Sequence, residues 1–165
     1  MWYEKKKYFL NCFLLMLPVI IWNSILTPLL PALYQPDVFE NNIPGWLTYA
    51  ENTSRILVFL LTLLMPLSLI TPAQWKGLFL YVTGLLLYFA SWIILLVFPG
   101  STWSMGLLGF SAPAWTPLFW LAGIACLGHS FYFRMRYRKW YFISAALLFL
   151  VFHNMHTIMV YFHSR

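Results

Sequence analysis

Three of the four histidines of this chain lie in one stretch, His153-Asn154-Met155-His156-Thr157-Ile158-Met159-Val160-Tyr161-Phe162-His163, inside or at the rim of a membrane-length apolar segment. On a helix of 3.6 residues per turn, His153, His156, Val160 and His163 fall along one stripe, and Asn154, Thr157 and Tyr161 widen it into a polar arc. Such an arc must face a bundle interior or a wet cavity, because ionisable groups at membrane depth are costly and by default point to a functional site. His163, at the rim, is the least involved of the three.

Three chemistries fit these residue types. A metal ion would take His153 and His156, three apart on one face, with a carboxylate such as Glu51, since imidazole nitrogen and carboxylate oxygen are ordinary ligands for zinc and similar ions. An acid–base enzyme would use His153 or His156 to move a proton, with the Arg55 guanidinium holding an anionic headgroup. Haem ligation would pair His129 with His153 or His156 from separate spans. No Gly-x-Ser-x-Gly or His-Glu-x-x-His is present, so neither a hydrolase elbow nor a zincin helix is indicated, and no cofactor is specified. Against all three stands the plainer reading of hydrogen-bonded histidines packing a bundle.

The elements that must position these residues follow from composition. Of 165 residues, 62% are hydrophobic and only 8% charged, against about 25% charged in soluble domains. Apolar runs of near ~20 residues, the length that crosses a ~30 Å hydrocarbon core, recur along the chain. The expected fold is all-α, a single membrane domain over residues 1–165 with five transmembrane spans at about 8–30, 44–70, 77–98, 118–133 and 140–162. The first apolar run exceeds a signal-peptide h-region and reads as a retained span. A kink is expected near Pro18. Asn23, a buried amide in that span, faces other helices.

The polar connector 31–43 lies outside the hydrocarbon, with Asn42 placed to cap a helix starting near Pro44. In that helix Thr48, Glu51, Asn52, Arg55 and Thr62 share one stripe, and Glu51 and Arg55 form an i,i+4 pair near the outer hydrocarbon boundary if the helix runs to Ile70. The segment 71–76 reads as a turn. Gly77, Gly84 and Ser91, with Tyr81 and Tyr88 at the same interval, mark a close-packing face, as do Ala122, Cys126 and Ser130. The connector 99–117 is rich in glycine and proline yet carries Trp103, Phe110 and Trp115. It therefore lies in the interface as an aromatic belt or dips back as a lid shielded by protein.

Charge orients the bundle. The net charge is +6, and with the N-terminus inside, Lys5, Lys6, Lys7, Lys76, Arg134, Arg136, Arg138 and Lys139 are cytoplasmic, leaving Arg55 and Arg165 outside. The positive-inside rule thus gives a cytoplasmic N-terminus, an extracytoplasmic C-terminus and a plasma-membrane location. Because the basic residues cluster at segment ends, they do not indicate nucleic acid. The sequon Asn52-Thr53-Ser54 lies too near the membrane for glycosylation. Arg55, Glu51, Asn52, Asn23 and Tyr161 would then converge with His153 and His156 on an outward-facing polar pocket for a membrane lipid headgroup, a small molecule or an ion. The competing class is an accessory subunit with no site of its own, acting as a homo-oligomer or within a larger membrane complex. No internal repeat supports a transporter.

Overall fold

The computed structural model of the chain describes residues 10–133 and 136–163. The expected start of the first span at Tyr8, the basic cluster Lys5 to Lys7, Arg134 and Arg165 lie outside the described residues. Among the described residues every regular element is helical. We label them α1 (Leu17–Leu26), α2 (Pro36–Phe39), α3 (Gly45–Leu64), α4 (Pro72–Val97), α5 (Thr102–Met105), α6 (Leu107–Phe110), α7 (Ala112–Trp115), α8 (Pro117–Leu127) and α9 (Lys139–His163).

Among the described residues, three helical segments are long and apolar enough to cross a membrane: Cys12–Leu29, which contains α1, together with α4 and α9. The protein is accordingly a helical membrane protein. The other two expected spans differ for identifiable reasons. Helix α3 has 20 residues, about 30 Å at 1.5 Å per residue, but its polar stripe lowers its hydropathy. It ends at Leu64, six residues before Ile70, because Met65 precedes a proline and is extended (φ −95°, ψ 113°). Helix α8 stops at Leu127, where Gly128 turns extended (φ −64°, ψ 128°), leaving the Ala112–Leu127 stretch as a shorter apolar helix.

Other local expectations change in the same way. Pro18 sits in the first turn of α1, where its missing N–H is harmless, so it begins the helix and does not interrupt one. The preceding turn Cys12–Leu15 is 3₁₀, capped by the Asn11 side chain on Phe13 N. Residues 71–76 are the start of α4: Thr71 and Gln74 form a reciprocal capping box, with Pro72 in the first turn. Asn42 does not cap α3, whose N-cap is Pro44. It adopts the left-handed conformation (φ 61°) instead, which its short polar side chain tolerates.

Helices α4 and α8 pack backbone to backbone. A Cβ added at Gly84 would lie 2.4 Å from Trp120 N, and one at Gly123 would lie 2.5 Å from Tyr81 N. The α8 contact face is therefore Trp120, Gly123, Ile124 and Leu127, all buried, and not the Ala122–Cys126–Ser130 row. Cys126 borders Gly77 but is exposed, and Ser130 lies beyond the helix. Helix α9 packs along α3. Helix α1 and the 3₁₀ turn before it are held against α4 by Tyr81 Oη donating to Leu15 O (2.7 Å), Tyr88 Oη donating to Asn23 Oδ1 (2.6 Å) and Trp22 stacked on Phe89 at 4.1 Å. Large apolar side chains remain exposed along all of these helices, such as Leu60, Phe79, Leu86 and Val151, as lipid contact requires and water would penalise.

The segment leading into α1 is tied by backbone hydrogen bonds between elements. Cys12 N donates to Met65 O (2.8 Å), Leu67 N to Leu10 O (2.9 Å) and Tyr132 N to Leu64 O (3.1 Å). At the opposite end, the short helices α5 to α7 fold against the C-terminal half of α9. Asn154 Nδ2 donates to Ala114 O (2.9 Å) and Tyr34 Oη to Phe110 O (2.9 Å), with the Tyr34 and Phe110 rings stacked at 4.6 Å.

Candidate functional site

Helices α3 and α9 bring a carboxylate, a guanidinium and two imidazoles together. Glu51 is only 4% exposed. Its Oε1 lies 2.9 Å from His153 Nδ1 and its Oε2 lies 2.7 Å from His156 Nδ1. Arg55, one turn along α3, donates from Nη2 to Oε1 and from Nη1 to Asn52 Oδ1 (3.1 Å). The i,i+3 spacing of the histidines lets both reach one carboxyl group. Phe149, one turn before His153, stacks under its imidazole at 5.2 Å, and the Arg55 guanidinium lies over the same ring at 5.7 Å.

The partners fix most of the protons. His156 Nε2 lies 3.1 Å from the Phe39 carbonyl oxygen, which can only accept, so Nε2 carries a proton. Another proton lies between His156 Nδ1 and Glu51 Oε2. Wherever along that bond it resides, Glu51 and His156 together are electrically neutral. His153 faces Glu51 with Nδ1, which in its neutral form donates and leaves Nε2 as a lone pair. With His153 neutral, Arg55 supplies the remaining charge and the cluster carries one net positive charge.

Beside this cluster lie two adjoining cavities, of about 220 and 280 Å³, which share Asn23, Arg55, Tyr88, Pro113 and His153. The first separates α1 from α3, walled by Val19 and Ile20 on one side, Val58 and Phe59 on the other, and Trp120 and Phe149 behind. The second runs toward the connectors, where Thr27, Tyr34, Phe39, Trp92 and Thr157 line it. Arg55 is ten residues from Gly45 and nine from Leu64, the ends of α3. It is therefore at the middle of α3, which ends at Leu64 and not at Ile70.

Of the residues singled out in the sequence, Glu51, Arg55, His153 and His156 form one cluster, and Asn23 faces the same cavity from α1. Asn52 is exposed and touches the site only through Arg55. Tyr161 lines a separate cavity of about 80 Å³ with Leu95, Met105 and Phe110. His163 is exposed at the end of α9. His129 lies against Gln74 (3.2 Å) and Ser68 (3.4 Å) at the start of α4. That is the Lys139 end of α9, about 20 Å along its axis from His153, so the haem pairing of His129 with His153 or His156 is not formed.

Glu51, His153 and His156 meet at hydrogen-bond lengths, each Nδ1 turned into the carboxylate. Among the described residues no group of three or more His, Cys, Asp or Glu is arranged to hold a metal ion. Sequence reasoning missed Tyr88, Pro113, Trp120 and Phe39 as site residues. Tyr88 was visible as part of the Tyr81–Tyr88 repeat, but only as a packing signal. The chain matches no protein-family model, no curated protein and no solved structure.

Proposed function

We propose that the chain is a five-span plasma-membrane protein, N-terminus cytoplasmic and C-terminus extracytoplasmic, that binds the anionic head of an amphiphile in the cavity around Arg55. The observation that carries this reading is the position of Arg55. Its side chain is 40% exposed and lines both cavities, and Glu51, the acid that faces it among the described residues, is shared with two histidines. A cation at mid-helix in a membrane protein is costly to maintain without a role.

The five-span reading takes α3, about 30 Å long, and the broken Ala112–Leu127 segment as the second and fourth crossings. It brings eight of the ten basic residues to one side. The cavity then opens between α1 and α3 and toward the outer connectors. Cysteines introduced at Tyr49 and Arg136 test the topology: the first should react with a membrane-impermeant thiol reagent from outside, the second from inside only. The binding reading is tested by native mass spectrometry of the purified protein. Wild type should retain an amphiphile that Arg55→Gln releases; equal retention by both would remove Arg55 from the site.

A second reading is favoured by one feature. Glu51 orients His153 through Nδ1 while Nε2 is free to accept a proton at the cavity, which is the arrangement of a general base. Turnover of the retained amphiphile, abolished by His153→Gln with binding kept, would establish the enzyme. The accessory-subunit reading has no observation of its own in its favour.

A further inference from the structure

The charge and hydrogen-bond inventory of the cavity narrows the ligand, on the premise that the anion-binding reading above holds. With His153 neutral, Arg55 leaves the cluster with a single net positive charge, because the Glu51–His156 pair is neutral. In a low-dielectric site a monoanion cancels that charge, whereas a dianion or a zwitterion leaves an uncompensated one. Around Arg55 stand further donors. Asn23 Oδ1 is taken by the Tyr88 hydroxyl at 2.6 Å, so its amide N–H groups are left to serve an acceptor.

One group has the opposite demand. His153 Nε2, with Nδ1 committed to Glu51, offers a lone pair, and no donor faces it among the described residues. The ligand must therefore bring an anionic oxygen for Arg55 and an O–H or N–H donor for His153. The walls between these groups are apolar, and the first cavity is the gap between α1 and α3. Helix α1 is loosely covered, Val19 being its one buried residue. A chain-bearing ligand can enter sideways from the bilayer through that gap.

We propose that the cavity takes a monoanionic phosphodiester lipid with a hydroxylated head, a glycerol-type headgroup, drawn laterally from the membrane between α1 and α3. The phosphodiester oxygen pairs with Arg55, the head hydroxyl donates to His153 Nε2, and the acyl chain lies along Val19, Ile20, Val58 and Phe59. A fatty carboxylate supplies the charge but no second donor, and a phosphocholine lipid supplies neither the net charge nor the donor.

The test is competitive native mass spectrometry of the full chain in nanodiscs of phosphatidylcholine doped with equal amounts of two anionic lipids, phosphatidylglycerol and phosphatidylmethanol. Both are monoanionic phosphodiesters, and only the first has the head hydroxyl. Wild type should retain phosphatidylglycerol over phosphatidylmethanol by about 3- to 10-fold, the worth of one hydrogen bond, and retain either far above phosphatidylcholine. His153→Phe should bring the first ratio to about one with the preference for anionic over phosphocholine lipid kept, and Arg55→Gln should abolish the anionic preference. An unchanged thermal melt confirms that both variants are folded. Equal retention of the two phosphodiesters by wild type, or displacement by soluble glycerol phosphate, would overturn the inference while leaving anion binding intact. Retention indifferent to Arg55 would overturn both.

Discussion

Replacing Glu51 by glutamine should destabilise the protein more than any other single change on α3. The carboxylate is 4% exposed and accepts from Arg55 Nη2, from His153 Nδ1 at 2.9 Å and from His156 Nδ1 at 2.7 Å. An amide keeps one acceptor oxygen and turns an N–H₂ toward a donor. It also removes the negative charge that neutralises His156, whose other nitrogen is held to the Phe39 carbonyl at 3.1 Å. Breaking a buried charged pair from one side costs about 3–5 kcal/mol. The partly exposed Arg55 pair adds only ~0–1 kcal/mol to that. At about 2–4 °C per kcal/mol for a chain of this size, the melting temperature in detergent should fall by roughly 6–20 °C. Tryptophan fluorescence during a thermal ramp reads it directly. Combining Glu51→Gln with His156→Phe removes the stranded imidazole, so the double variant should be more stable than the sum of the single losses predicts, with a coupling of at least ~1 kcal/mol. A drop below about 2 °C for Glu51→Gln, under ~1 kcal/mol, or strict additivity in the double variant, would refute the charge-cluster argument.

Three further outcomes are expected. Gly84→Ala, whose Cβ would meet Trp120 N at 2.4 Å and Phe119 Cβ at 2.7 Å, should push α4 from α8 and cost about 1–3 kcal/mol. Gly45→Ala, with nothing within 4 Å, should leave the same melt unchanged. Asn154→Ala removes the donor to Ala114 O at 2.9 Å, so hydrogen exchange should rise across α6 and α7 while α4 and α8 keep their protection.

What the sequence made legible depended on whether a signal was local. Helical spacing alone brings Arg55 one turn from Glu51 and both histidines to one face of α9, and the Gly77–Gly84 interval marked the face that α8 meets. Where a helix ends was harder, because apolarity continues past it: the Leu67–Leu69 region is as apolar as α3, and only Pro66 signals the stop. The same difficulty hid the end of α8, since residues 128–133 have no proline and one glycine. Tyr88 and Pro113 became site residues only through tertiary placement. A tyrosine at heptad spacing is indistinguishable from core until its hydroxyl is found on Asn23, and a proline in an aromatic connector carries no sign that the connector folds over Arg55. His129 misled for the opposite reason, its residue type suggesting a ligand when its neighbours Ser68 and Gln74 make it part of a helix-end tether.

The pairing of residues 10–12 with Met65 and Leu67, joined by Tyr132, whose N–H donates to Leu64 O and whose hydroxyl donates to Leu10 O (2.8 Å), sets an order of assembly. Backbone outside a helix at membrane depth keeps its polar groups satisfied only where other protein covers them, since each bare one costs several kcal/mol. The strand-like bridge between Asn11 and Pro66 supplies that cover for both partners at once. During synthesis the first span emerges more than fifty residues before Met65 and over a hundred before Tyr132. Its end is completed only when those later segments arrive. The start of the first span is thus locked only after residues 64–67 and 132 have been made, and co-expressed fragments divided within residues 31–43 should reassemble through this junction.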